Sequence, residues 1–437
     1  MAGSAVSRRD FLRGAAGAAA GALGFPYLAP GRALGKEGAL APSNRIVVGF
    51  IGVNWMGKNN LHWFLAEKDA QVAAVCDVDQ NHLGEAARIV NNQYGNQDCA
   101  TYHDYRELIG RADIDAVCLS LPDHWHAIPV MEAARAGKDI YGEKPLSHTF
   151  AEGLAMCAAV RRYGRVWQTG SWQRSEAQFR LACELVRNGR IGKVQRVEVG
   201  LPAGFTDFAQ TKGQEAPGAP PAELDYDRWL GPAPWAPYCP ARVHMNWRWV
   251  LDYGGGQLMD WVGHHVDIAH WGLDFDAAGP HEIEGHGEYP REGLWNTARR
   301  YWVEAKYPRE ITMIIAGGHE EIRGGTKWIG SDGWVWVNRN GIDAEPKQLL
   351  HERFGPSEVH LYESAGHVRN FLDCVKSRAR TLAPVEAAHR SQTPGHLGQI
   401  AMQLGRKIRF DPARQEIIGD ATATALLSRS QRSPWHW

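Results

Sequence analysis

Apolar residues run along this chain in two rhythms. Between residues 46 and 169, short continuous apolar runs alternate with stretches of helical spacing. Ile46 to Gly52 is rich in β-branched residues, as a buried parallel strand requires. Val72 to Cys76, Ala116 to Leu121, Asp139 to Tyr141 and Val166 to Thr169 read as further strands. Lys58 to Glu67, Asn81 to Tyr94, Ala127 to Ala136 and Phe150 to Tyr163 read as helices. Repeated strand–helix units predict a doubly wound parallel sheet.

From Val194 the period becomes two. Val197 and Val199 alternate with polar neighbours, as do Tyr301, Val303, Ala305 and Tyr307, and then Ile311, Met313 and Ile315. Half-buried strands of a mostly antiparallel sheet follow from that alternation. Gln214 to Arg242 is rich in Pro, Gly and Ala and reads as a long surface excursion. His367 to Ser377 and Val385 to Gly405 have helical spacing, and no internal repeat occurs. The predicted fold class is α/β, with a parallel-sheet domain over residues 44–170. A second α/β domain over 171–437 carries an open, mostly antiparallel sheet.

The front of the chain is of another kind. Ser7-Arg8-Arg9-Asp10-Phe11-Leu12-Arg13 precedes an Ala/Gly-rich stretch, the pattern of a twin-arginine export signal. Residues 1–41 are therefore expected to be signal and linker. The export machinery is an expected partner, and the periplasm or another extracytoplasmic space the expected location. Formal charge narrows the partners further: 48 basic against 49 acidic side chains leave no footprint for nucleic acid. No apolar run of about 18 residues predicts a membrane span. Seven scattered cysteines without a CxxC read as core thiols rather than a disulfide or zinc framework.

Two constellations carry chemistry. Gly52-Val53-Asn54-Trp55-Met56-Gly57 follows a strand and opens a helix, where free N–H groups can receive a pyrophosphate. Asn54 stands where the dinucleotide fingerprint has its middle glycine. Asp77, about 20 residues past Gly57, can accept ribose hydroxyls and repel a 2′-phosphate, favouring NAD over NADP. Gly142-Glu143-Lys144-Pro145 leaves the fourth strand at the carboxyl edge of the sheet. Asp260 and His264 are four residues apart, on one face if that segment is helical. Together these groups suit alcohol oxidation. The imidazole takes the hydroxyl proton, Asp260 fixes its tautomer, and Lys144 steadies the developing alkoxide.

With these residues, Leu121-Pro122-Asp123-His124-Trp125-His126 and Ala136-Gly137-Lys138 through Glu143-Lys144-Pro145, the chain resembles the Gfo/Idh/MocA oxidoreductase family. The likeness covers nearly everything past the signal. It implies a Rossmann domain followed by an α/β domain whose open sheet is a subunit interface, hence a homo-oligomer. It implies Lys144, Asp260 and His264 as the catalytic set, with His264 as acid/base. The cofactor implied is NAD, with NADP the alternative, held tightly as in exported glucose–fructose oxidoreductase-like members. Its contacts would come from Gly52, Asn54, Trp55, Met56, Gly57, Asp77, Leu121, Pro122, His124, His126, Glu143 and Lys144. Arg174 falls where the family often places a substrate-pocket residue, and an ordinary surface arginine is the equal alternative. Of 18 tryptophans, Trp172, Trp247 and Trp261 are the ones expected to stack on a sugar. His124-Trp125-His126 has metal-ligand spacing, but cofactor contact is the preferred reading, and no metal is expected. The expected reaction moves a hydride between nicotinamide and a secondary hydroxyl of a sugar, polyol or glycoside. A redox-assisted glycoside hydrolase or lyase working through transient C3 oxidation is the alternative. A non-catalytic sugar binder is a third.

Overall fold

The computed structural model describes residues 44–437, so the predicted export signal over 1–41 lies outside the described residues. The first sheet is parallel throughout. Its strands are β1 (Ile46–Ile51), β2 (Ala70–Cys76), β3 (Ala100–Tyr102), β4 (Ala116–Leu119), β5 (Asp139–Gly142) and β6 (Trp167–Thr169). They lie in the order β3-β2-β1-β4-β5-β6. Val48, Phe50, Val117 and Cys118 are fully buried, which explains why the central strands are continuously apolar. Helices α1 (Met56–Leu65), α2 (Gln80–Tyr94), α3 (Tyr105–Ile109), α4 (Ala127–Arg135) and α5 (Phe150–Arg162) cover the two faces. Asp79 caps α2 by accepting from the Asn81 and His82 amides, and Thr149 and Glu152 form a reciprocal capping box on α5. The order reverses between β1 and β4, placing a crevice at their carboxyl ends.

The second sheet begins after α6 (Ala177–Arg187). Its strands are β7 (Val194–Leu201), β8 (Glu282–Glu288), β9 (Arg300–Lys306), β10 (Thr312–Gly317), β11 (Gly325–Gly330), β12 (Trp334–Asn338), β13 (Gly341–Glu345), β14 (Ile408–Asp411) and β15 (Glu416–Ile417). The order is β13-β12-β11-β7-β10-β9-β8-β14-β15, and β7–β10 is its parallel pair. One face carries the largest core, shared with α6, with α8 (Gly256–Trp261), with α9 (Asp267–Leu273) and with α11 (Val385–Leu404). That last helix also packs on α5 and is buried nearly all round, so it shows no polar stripe. Helix α10 (His367–Ser377) returns to the first sheet, where Phe371 meets the rings of Phe64 and Tyr141.

The excursion differs from its expected form. Residues 214–222 are mostly exposed, but the segment beyond them builds a core of its own. Leu224, Trp229, Leu230, Trp247 and Tyr253 are buried together, with Trp229 and Leu230 on the short helix α7 (Tyr226–Leu230). The Gln80 amide donates to the Glu223 carbonyl, which anchors this layer over the start of α2. Pro and Gly signalled irregular backbone there. The aromatic residues between them decide burial. All seven cysteines are free, and six are buried, as expected of core thiols. No helix of the described residues is long and apolar enough to cross a membrane.

Candidate active site

A cleft of about 1030 Å³ opens at the carboxyl ends of β1, β2, β4 and β5 and runs under the aromatic layer. Its first wall is the turn after β1. Gly52 has φ +79°, and a Cβ there would meet the Ser120 carbonyl oxygen at 2.3 Å. A Cβ on Gly57 would meet the Gly52 carbonyl oxygen at 2.2 Å, so only glycine lets α1 sit this close to β1. Helix α1 has no side-chain cap. The Asn54 carboxamide turns back and accepts from the Trp55 amide at 2.9 Å, and Trp55 takes φ +41°. Asp77 closes this end. One carboxylate oxygen accepts from the Val53 amide and the other from the Asp79 amide, both at 3.0 Å. One lone pair on each oxygen remains for a ribose hydroxyl.

Beside Asp77 stands a group with no sequence signal. Asp79, His82 and His244 bring their ligating atoms within 4.8 Å of one another. His82 lies 3.9 Å from both Asp77 and Asp79. Burial lowers its pKa, but the two carboxylates outweigh burial and raise it above the usual histidine value. His82 therefore pairs with the two carboxylates, while burial and the His82 charge push His244 below the usual histidine value.

Lys144 and Asp260 meet at the other end. The Lys144 ammonium donates to the Asp260 carboxylate at 2.9 Å and to its backbone carbonyl at 2.8 Å. A Cβ on Gly263 would come within 2.9 Å of the Lys144 Cβ, so glycine there makes room for the lysine stem. Arg248 approaches the same carboxylate at 3.4 Å. Burial opposes ionisation of Asp260, yet the two cations hold its pKa below the usual carboxylate range. Burial pushes Glu143 up despite its hydrogen bond from Asn60, and Asp123 well above the usual carboxylate range.

His264 is placed differently from its expectation. Helix α8 gives way to a π-helical turn over Val262–Val266 before α9 begins. The wider turn breaks the four-residue periodicity, so Asp260 does not hold the imidazole. Instead Asp260 faces Lys144 and Arg248. His264 lies between the rings of Trp261 and Trp172, 5.4 and 6.2 Å away. Its Nδ1 is sealed from solvent and has no partner among the described residues. Burial, reinforced by the positive charges of Lys144 and Arg339, drives its pKa well below the usual histidine value. The imidazole is thus neutral, with a lone pair on one ring nitrogen.

Most of the expected site residues line this one cleft: Gly52, Asn54, Trp55, Met56, Asp77, Leu121, Pro122, Glu143, Lys144, Trp172, Trp247, Asp260, Trp261 and His264. Four do not. Gly57 lies beneath the turn. His124 is buried behind the cleft, bonded to the Trp229 carbonyl and pushed down to about 3 by burial. His126 also lies behind it, its two ring nitrogens 2.8 Å from the Leu121 carbonyl and 2.7 Å from the Pro145 carbonyl, and its one N–H donates to one of them. Arg174 is neither a pocket nor a surface residue. Its guanidinium is buried in bidentate pairs with Asp267 and Asp276. Each pair has a 2.7 Å contact. Asp123, Arg248 and Arg339 line the cleft without having been singled out. The Trp-Arg-Trp run at 247–249 was a visible signal for Arg248. Arg339, on a hairpin turn of the second sheet, had none.

The donor set fits a dinucleotide. The two glycines keep Cβ atoms out of the turn, α1 offers uncapped N–H groups, and Asp77 can accept. Comparison with known proteins agrees. Residues 46–171 match the oxidoreductase family, NAD-binding Rossmann fold, and 176–437 match the oxidoreductase family, C-terminal alpha/beta domain. A glycosyl hydrolase family 109 protein from Shewanella sp. (strain MR-4) is 34% identical over 206 residues, 43% of this chain and 44% of that one. The uncharacterized oxidoreductase YrbE of Bacillus subtilis is 33% identical over 150 residues, 34% of this chain and 42% of that one. The chain thus spans less than half the length of these curated relatives. By fold it resembles an aldose-aldose oxidoreductase from Caulobacter crescentus complexed with glycerol, with TM-score 0.59 and 19% identity. That likeness covers 84% of this chain and all of the other (100%). The WlbA dehydrogenase from Bordetella pertussis, in complex with NADH and UDP-GlcNAcA, gives TM-score 0.60 and 17% identity over 84% of this chain and 99% of that one.

Proposed function

The chain belongs to the Gfo/Idh/MocA oxidoreductase family, and from that premise we propose an NAD-dependent oxidoreductase acting on a secondary hydroxyl of a sugar, polyol or glycoside. One observation carries the reading: a neutral imidazole, His264, without a hydrogen-bond partner among the described residues, shares a cleft with the Lys144–Asp260 pair and with a glycine turn backed by Asp77. Gly52, the N-terminus of α1 and Asp77 would hold the dinucleotide. When bound, NAD supplies the two-electron acceptor for the carbinol carbon. His264 removes the hydroxyl proton. Lys144, held by Asp260, places its ammonium where alkoxide charge develops. Trp172, Trp247 and Trp261 would border the sugar ring with their indole edges, since Arg339 packs on Trp172 and Trp261 and Arg248 on Trp247. The test is absorbance at the reduced-nicotinamide band as sugars and polyols are added to the protein with NAD. Growth of the band that His264→Ala abolishes supports the reading, and no growth with any of them contradicts it.

A second reading rests on the identity to glycosyl hydrolase family 109 proteins. The same His264 and Lys144 can serve a transient oxidation that ends in glycoside cleavage with no net redox change. Release of an aglycone from a chromogenic glycoside, without net growth of the band, selects this alternative. We further propose export by the twin-arginine route, from Arg8-Arg9, with the cofactor loaded beforehand and held tightly. Substituting both arginines by lysine should retain the protein in the cytoplasm; unchanged export would refute the assignment.

A further inference from the structure

We propose that the substrate carries a carboxylate and that Arg339 reads it, so that the cleft is built for a sugar acid. The inference rests on the oxidoreductase reading and names its substrate class. Arg339 sits in the turn between β12 and β13 and reaches into the cleft. Its guanidinium carbon lies 4.5 Å from the Trp172 ring centroid and 4.7 Å from that of Trp261. Two indoles therefore hold the planar cation by its faces. Its Nε donates to Gln173 Oε1 at 3.3 Å. Its two Nη groups have no protein acceptor among the described residues. What remains, on an exposed residue that lines the cleft, is a fork of N–H donors stacked between two indoles, which matches two carboxylate oxygens.

The neighbourhood offers no internal counter-ion. Asp260 is taken by Lys144 at 2.9 Å and by Arg248 at 3.4 Å. Arg248 is itself occupied: it stacks on Trp55 and Trp247 and donates to the Met245 carbonyl. Both indoles that grip Arg339 also flank His264. An anion on the fork thus places the rest of a small molecule beside the proton acceptor. A neutral sugar would leave the exposed fork to water.

The experiment titrates the NAD-loaded protein with glucuronate, galacturonate and gluconate. Each is compared with its methyl ester or neutral aldose, and glucose 6-phosphate serves as a second anion. Indole fluorescence reads binding, and the reduced-nicotinamide band reads turnover. At least one acid should bind about ten- to a hundred-fold tighter than its neutral counterpart, the value of a charge-assisted pair. Arg339→Met should erase that difference and Arg339→Lys restore part of it. Equal binding of every acid and its neutral counterpart overturns the proposal. So does tighter binding of the sugar phosphate, or an Arg339→Met protein whose lost affinity is for NAD. Arg339-dependent acid binding without NAD reduction would leave this subsite standing and sink the oxidoreductase reading. NAD reduction by neutral sugars as readily as by acids would do the reverse.

Discussion

Replacing Asp260 by asparagine keeps the shape of the side chain and removes one charge. In the native cleft that charge faces the Lys144 ammonium at 2.9 Å and the Arg248 guanidinium at 3.4 Å, with Lys144 and Asp260 side chains each 14% exposed. At an effective dielectric near 20, a pair at the shorter distance attracts by about 6 kcal/mol before desolvation is counted. Desolvation cancels most of this, leaving about 1.5–3 kcal/mol for a charge-assisted hydrogen bond. Asparagine also leaves two cations facing each other with no anion between them. A total loss of about 3–4 kcal/mol in transition-state stabilisation follows, or roughly 10²–10³ in kcat/KM. The loss should fall on kcat, because Lys144 matters most where alkoxide charge develops. The assay is initial NAD reduction with the preferred sugar, with NAD affinity read separately by indole quenching. Asp260→Asn and Lys144→Met should be strongly non-additive, the double variant scarcely worse than the poorer single. Additive losses, or an Asp260→Asn protein with native kcat, would refute the pair as a unit.

Three further outcomes follow from the geometry. Gly57→Ala drives a Cβ against the Gly52 carbonyl at 2.2 Å, so NAD affinity should fall at least about tenfold and stability by about 1–3 kcal/mol; calorimetry with and without NAD measures both. Arg174→Ala strands the buried Asp267 and should cost about 3–5 kcal/mol by denaturant unfolding, with Asp267→Asn in the same chain recovering part of it. Burial holds His124, His265 and His396 down to about 3, and His270, His367 and His389 to about 4, against 6.5 for the free side chain. These groups are neutral when folded and gain protons on unfolding below that value, so stability falls as pH drops from 6.5 towards 4. Each costs about 2 kcal/mol at pH 5, and six together rival an ordinary stability margin. Flat stability between pH 7 and 5 would contradict this.

The parallel sheet was legible because its strands are buried on both faces and its helices are amphipathic. The short strand β3 and helix α3 were not, since three and five residues carry no measurable period. Strands β11 to β13 were also missed: they are six, five and five residues long, with Gly325, Gly330 and Gly341 at their ends, too short for a period to show. At the site, Lys144, Asp260, His264 and the glycine turn were readable as residue types at an expected sheet edge. Their pairing was not. Spacing of four promised an Asp260–His264 contact, and a π-helical turn removed it. The partner Asp260 has instead is Lys144, 116 positions away in sequence. Histidines 124 and 126 sat on the right loop, but which side of that loop faces the cleft depends on the aromatic layer packed against it. Arg174 likewise owed its place to two aspartates about a hundred residues on, a long-range ion pair that no local pattern reports.

The most direct measurement is the spectrum of the purified protein with NAD as sugar acids and neutral sugars are added, for the native chain and for His264→Ala. The native protein should develop the reduced-nicotinamide band with at least one of them. The variant should bind NAD and the sugar yet develop the band more slowly by orders of magnitude. A native protein that binds no NAD, or a His264→Ala protein that turns over as fast as the native one, would contradict the assignment of this cleft.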